Sequence, residues 1–121
     1  MSKTSLWDNT LGYGFLEKVY ERAMIIEFNK MGLKYNNQYP VKVYYEEEIV
    51  GDYVADFIVE EKIIVEIKAI KELSKQDENQ LLNYITSTDK EVGLLLNYGK
   101  KPEIKRKVYD NELKKYNIKS V

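Results

Sequence analysis

The stretch "ADFIVEEKIIVEIKA", residues 55–69, constrains this chain more than any other. Two runs of Ile, Val and Phe flank a charged turn, the pattern of adjacent strands buried in a sheet. The same stretch carries Asp56, Glu66 and Lys68. A charge in a buried strand is costly unless it is paired, hydrogen-bonded or bound to a metal. Any fold that accepts this segment must therefore supply partners for those three groups.

The surroundings supply helices to cover such a strand. In "GFLEKVYERAMIIEFNKMGL", Leu16, Val19, Tyr20, Ala23 and Ile26 recur at helical spacing, and Gly32-Leu33 is a Schellman-type stop. From Pro40 to Ala69 the composition turns β-branched and aromatic, which predicts strands over 41–48, 53–59 and 63–69, with turns at Gly51-Asp52 and over Glu60 to Lys62. "LSKQDENQLLNYITS" predicts a second helix with Ser74 as N-cap and Asp77 three residues on. "VGLLLNY", residues 92–98, is apolar on both faces and reads as a central strand. Beyond Lys100 an edge strand around Ile104 to Tyr109 and a short polar helix are expected. The order is helix, three strands, helix, strand, so the expectation is one α/β domain over 1–121, with helices covering a small mixed sheet.

Composition narrows the chemistry. The chain has no cysteine and no histidine, which excludes disulfides, thiolate zinc sites, Ser-His-Asp triads and histidine bases. Catalysis would have to use carboxylates, Lys, Tyr or a hard metal held by oxygen. The net charge of −1 is not that of a general nucleic-acid binder, and only the tail from "KKPEIKRK" to "LKK" is locally basic. No apolar run is long enough to span a bilayer and "MSKTSLWDNT" lacks the apolar core of a signal peptide, so the expected location is the cytoplasm, without membrane contact.

Alternation along 63–69 puts Glu66 and Lys68 on one strand face. Whether Asp56 joins them depends on the turn. A two-residue turn at Glu60-Glu61 pairs Asp56 with Val65; a three-residue turn through Lys62, or a bulge, pairs it with Glu66. In the second register two carboxylates and an ammonium converge, a set that suits magnesium and a phosphate ester. The competing reading is a plain cross-strand salt bridge, in which Asp56 faces away from Glu66. Gln80 and Tyr84 share a face of the second helix, and taken alone they read as a core tyrosine and a solvated amide. Taken alone, Glu17 reads as a surface acid or an N-terminal helix charge favoured by the dipole. "GYG" at 12–14 lacks the preceding strand and the lysine of a phosphate loop, and Tyr44, Tyr45 and Tyr53 read as sheet decoration.

Taken together, the motifs resemble a known family. "GFLEKVY" reads as G-x-x-E-x-x-Y through Gly14, Glu17 and Tyr20, after Leu11-Gly12, and is similar to the GxxExxY proteins of the PD-(D/E)XK nuclease-like superfamily. The likeness continues through "YVADFIVEEKIIVEIKA" and "NQLLNYI" to "VGLLLNYG", over most of 11–99. It implies an αβββαβ nuclease core in which Asp56, Glu66 and Lys68 form the D…(D/E)-x-K site. It further implies Glu17 as an extra acid, the Ile67 carbonyl as a metal ligand, and Gln80 and Tyr84 as the Q-x-x-x-Y pair of the RecB-like and lambda exonuclease branch. The implied activity is hydrolysis of DNA with Mg2+ or Mn2+; the alternative is a silent nuclease-fold subunit that binds nucleic acid or regulates a complex. The chain departs from the family where Asp8 replaces a His that ends a longer N-terminal helix, so a partner protein or a second copy in a homo-oligomer is expected to complete the helical cover.

Overall fold

The computed structural model describes residues 11–114. Asp8 and the last part of the tail, from residue 115, lie outside the described residues. Helix α1 (Glu17–Met31) leads into β1 (Tyr35–Tyr45), β2 (Glu48–Val59) and β3 (Ile63–Lys68). Helix α2 (Lys75–Thr86) then crosses over to β4 (Val92–Asn97), β5 (Glu103–Val108) and a single 3-10 turn, Asn111–Leu113. The strands lie in the order β1-β2-β3-β4-β5, antiparallel except for the parallel β3/β4 pair that the α2 crossover permits. This is the mixed α/β architecture of the PD-(D/E)XK nuclease-like core, with a helix on each face. No helix among the described residues is long and apolar enough to cross a membrane.

Local chemistry fixes the ends of both helices. Gly32 takes a left-handed conformation (φ 71°) and Leu33 N–H bonds the Phe28 carbonyl at 3.0 Å, the Schellman closure expected of Gly-Leu. At the start of α2, Ser74 Oγ accepts from the Asp77 amide while Asp77 Oδ2 accepts from the Ser74 amide, a complete capping box.

The first hairpin differs from the expected one, whereas the β2/β3 turn falls over Glu60 to Lys62 as expected. The first turn falls at Glu46 and Glu47, both at positive φ (49° and 75°), and Gly51 lies inside β2 opposite Val43, beside a register shift. Two consecutive left-handed residues make a tight hairpin that is usually built from Asn and Gly. Glutamates in those places hid the turn, and the glycine marked a bulge instead. Strand β1 also begins earlier than expected, at Tyr35, because it is an edge strand that tolerates Asn36, Asn37 and Pro40.

Each helix buries a stripe on its own sheet face. Tyr20, Met24 and Phe28 of α1 pack with Phe57, Val65, Ile67 and Leu96. Leu81, Tyr84 and Ile85 of α2 pack with Val41, Ala55, Ile58, Ile64 and Leu95. Full burial of each such side chain contributes about 1.5–3 kcal/mol. The α1 stripe is rotated from the expected one: Tyr20 belongs to both, but Leu16, Val19 and Ile26 are exposed while Glu21 is buried. A helix rich in apolar residues around its circumference offers two stripes, and the sheet selects the one that carries the aromatics Tyr20 and Phe28.

Candidate functional site

The site begins at a fault in the sheet. Residues two apart on a strand share a face, yet Tyr35 and Phe57 lie on the α1 side while Tyr39, Val41 and Ala55 lie on the α2 side. Both β1 and β2 therefore change face, at Gln38 and Asp56. Gln38 carries the left-handed backbone (φ 60°) that makes this switch. Buried Glu21 holds it in place, accepting from Asn37 Nδ2 and Gln38 Nε2 at 2.6 Å each. Asn37 Nδ2 also donates to the Asp56 carbonyl at 2.9 Å.

The β2/β3 turn decides the register. Val59 faces Ile63 across three intervening residues, Ile58 faces Ile64 and Phe57 faces Val65, so the next pair in line is Asp56 with Glu66. Here the ladder stops and side chains take over. The Asp56 amide donates to Glu66 Oε2 and the Ile67 amide donates to Asp56 Oδ2, each at 2.8 Å. Each carboxylate thus replaces a backbone partner on the opposite strand. Among the described residues no group donates to the second oxygen of either one. The plain salt-bridge reading, with Asp56 turned away, does not describe this geometry.

Electrostatics sharpen the conflict. Burial raises the Asp56 carboxyl to about 6, opposed by its bond from Ile67, with Glu21 and Glu17 adding a further push. Burial, and then the Asp56 charge, raise the Glu66 carboxyl to about 8 against the Asp56 amide and Lys68. The donor set is two like-charged carboxylates with spare oxygens beside the Ile67 peptide. A hard divalent cation with oxygen ligands and several waters fits such a set. No group of three or more acidic side chains gathers as a metal cluster among the described residues, so Glu17 is not drawn in as a third carboxylate.

The remaining expected residues ring this pair. Lys68 ends β3 about one-third exposed, with Nζ 3.9 Å from Asp77 Oδ1, so the capping residue of α2 also leans on the lysine. Gln80 Nε2 donates to Tyr84 Oη at 3.0 Å. Tyr84 is buried, and burial followed by the Glu66 charge raises its phenol. Glu17 is the exposed first residue of α1, near enough to push on both carboxylates. Tyr20, the last residue of G-x-x-E-x-x-Y, stacks on Tyr98 at 4.8 Å and donates to the Gly12 carbonyl at 2.6 Å. That tyrosine therefore anchors the loop which leads to Glu17.

Sequence reading missed Glu21, Asn37, Gln38 and Asp77 as neighbours of the site. Glu21 had a readable signal, since it follows Glu17 by one helical turn and lies on the Met24–Phe28 stripe. Asn37 and Gln38 had none, because their role depends on the fault between β1 and β2.

Comparison with curated proteins and with solved structures finds no match. The family model described as PD-(D/E)XK nuclease superfamily matches residues 6–107, from before α1 into β5. With the αβββαβ order and the Asp56, Glu66 and Lys68 geometry in hand, the chain belongs to the PD-(D/E)XK nuclease superfamily.

Proposed function

We propose that this protein is a metal-dependent nuclease that hydrolyses phosphodiester bonds in DNA, within the GxxExxY group and akin to the RecB-like and lambda exonuclease branch. One observation carries the reading: Asp56 and Glu66 exchange backbone bonds across the β2/β3 opening and, among the described residues, keep a second oxygen each without a donor. Asp56, Glu66 and the Ile67 carbonyl would hold Mg2+ or Mn2+, with Glu17 supporting the ion's water. Such an ion, when bound, polarises the phosphoryl oxygen and acidifies water.

The chain's own groups do the rest. Lys68 is the cation next to the carboxylates, placed to orient the attacking water and to neutralise charge growing on the phosphoryl oxygens. Asp77 keeps that ammonium extended towards α2. Because Tyr84 Oη accepts from Gln80, its own proton remains available for Glu66 or for a substrate oxygen. Gln80 and Tyr84 thus position the acidic pair and the phosphate.

The test is cleavage of labelled linear and circular DNA, single- and double-stranded, in Mg2+, Mn2+ or chelator. Wild type is compared with Glu66→Ala and Lys68→Ala. Metal-dependent cutting lost in both variants is the expected result, and cutting restricted to linear DNA would assign an exonuclease. Folded protein that cuts nothing in any metal would instead assign a silent nucleic-acid-binding or regulatory subunit.

A further inference from the structure

A groove of about 410 Å³ opens between the β1–β2 hairpin and α2. It adjoins the acidic pair without containing it. Gln80 and Tyr84 form part of its wall, and Tyr84 stands within electrostatic reach of Glu66 and Asp56. Across from them lie Tyr44 and Tyr53, with the Tyr53 ring 6.1 Å from that of Tyr84 and tilted by 45°. Tyr53 is 45% exposed and lines the groove, so its ring is within reach of a ligand there.

The groove's chemistry selects one kind of occupant. Among the described residues no carboxylate lines it, although the chain as a whole is slightly acidic, and the single charged lining residue is Lys42, held by Asp52 at 3.3 Å. The side-chain amide of Asn83 makes no hydrogen bond among the described residues and lies on this wall. Gly51 keeps the aromatic surface open: a Cβ there would stand 2.8 Å from Tyr53 Cε2 and force the ring aside. Aromatic faces, an unengaged amide and the absence of acids suit a flat, hydrogen-bonding ring on a phosphate chain. A paired base hides its face within the stack.

We infer that this groove is a subsite for an unpaired base of a single-stranded nucleic acid, stacked on Tyr53 and reached by Asn83, next to the phosphate bound at Asp56 and Glu66. The assignment rests on the nuclease reading for its direction along the strand. Binding in the groove itself requires no metal.

The experiment measures the affinity of wild-type protein, in chelator, for a short fluorescein-labelled single-stranded DNA oligonucleotide, a blunt duplex of the same sequence, and a strand of abasic units. Tyr53→Ala, Tyr53→Phe and Asn83→Glu are tested beside it. The expected result is that wild type prefers the single strand with bases. Tyr53→Ala and Asn83→Glu weaken that affinity about tenfold, and Tyr53→Phe keeps it. Asn83 is an exposed helix position where Glu is a good helix former, which keeps the test valid if Tyr53→Ala folds poorly. Equal binding of the abasic strand, or unchanged affinity in Tyr53→Ala and Asn83→Glu, would overturn the inference. Cleavage in Mg2+ is scored separately. If wild type cuts DNA while both variants bind as tightly as it does, the groove assignment falls alone; Tyr53-dependent binding without cleavage supports the groove and removes the nuclease reading.

Discussion

Asn97 at the end of β4 and Glu66 in β3 are buried polar residues on neighbouring strands, and the fold treats them in opposite ways. Asn97 is satisfied on every side, accepting from the Ile70 amide and donating to the Ile70 carbonyl and to Glu103 Oε1, each at 3.0 Å. Glu103 also accepts from the Leu73 amide at 2.9 Å, so one neutral side chain and one carboxylate clamp the segment between β3 and α2. Glu66 is given, among the described residues, a single amide donor and a like-charged neighbour. The first cluster holds the chain in place; the second keeps an electrostatic cost that only a cation or protons relieve. Buried polarity serves stability where every group is paired, and marks function where it is not.

The largest effect should come from breaking the second cluster. Glu66→Ala is expected to lower metal-dependent cleavage about a thousandfold. Glu66→Gln, which keeps an oxygen for the Asp56 amide, should lose activity yet raise the melting temperature in chelator. A lower melting temperature for Glu66→Gln would show that the acidic pair is not under electrostatic strain.

Breaking the first cluster should have the opposite balance. Asn97→Ala leaves the Ile70 amide and carbonyl without their partner in a buried setting and should cost about 2–4 kcal/mol in urea unfolding. Gly99→Ala should act through the same clamp, because a Cβ there runs into the Ile70 carbonyl. If either variant unfolds like wild type, the clamp is not what holds this segment.

The contrast also predicts a pH response. Asp56 and Glu66 have folded values raised above their ordinary ones, so their contribution to stability is complete below about pH 4 and is lost as pH rises through about 6 and then about 8. Metal-free protein should therefore lose a few kcal/mol across that window. Mg2+ should flatten the slope, since the cation favours the deprotonated pair. Melting curves with chelator and with Mg2+ at several pH values decide this, and equal slopes would count against metal binding at the pair. The smallest change is expected at the capping box, where Ser74→Ala should cost about 1 kcal/mol in the same urea assay.

Much of this organisation was legible in the chain. The period of apolar residues gave the strands and helices in order, and Gly32-Leu33 and Ser74-x-x-Asp77 marked two helix ends through local hydrogen bonding. The hairpin at Glu46-Glu47 was not legible, because Gly51-Asp52 a few residues on offered a more usual turn signal, while Glu60-Glu61, equally left-handed, had no such competitor nearby. The buried stripe of α1 was not legible: the spacing of Leu16, Val19 and Ile26 pointed to a face that stays exposed, and the aromatic packing against Phe57 and Tyr98 buries Tyr20, Met24 and Phe28 instead.

For the candidate site the division is sharper. Sequence alone determined which groups had to find partners, since Asp56, Glu66 and Lys68 stand in strands too apolar to leave charges unaccompanied. Sequence periodicity also put Gln80 and Tyr84 on one helical face. It left two registers open for Asp56, one residue apart. Only the tertiary structure chose between them, through the three residues of the 60–62 turn and the face change at Gln38. The physical reason is that strand periodicity fixes which residues share a face, whereas register and faults depend on turns and on contacts distant in sequence, such as Glu21 with Asn37 and Gln38.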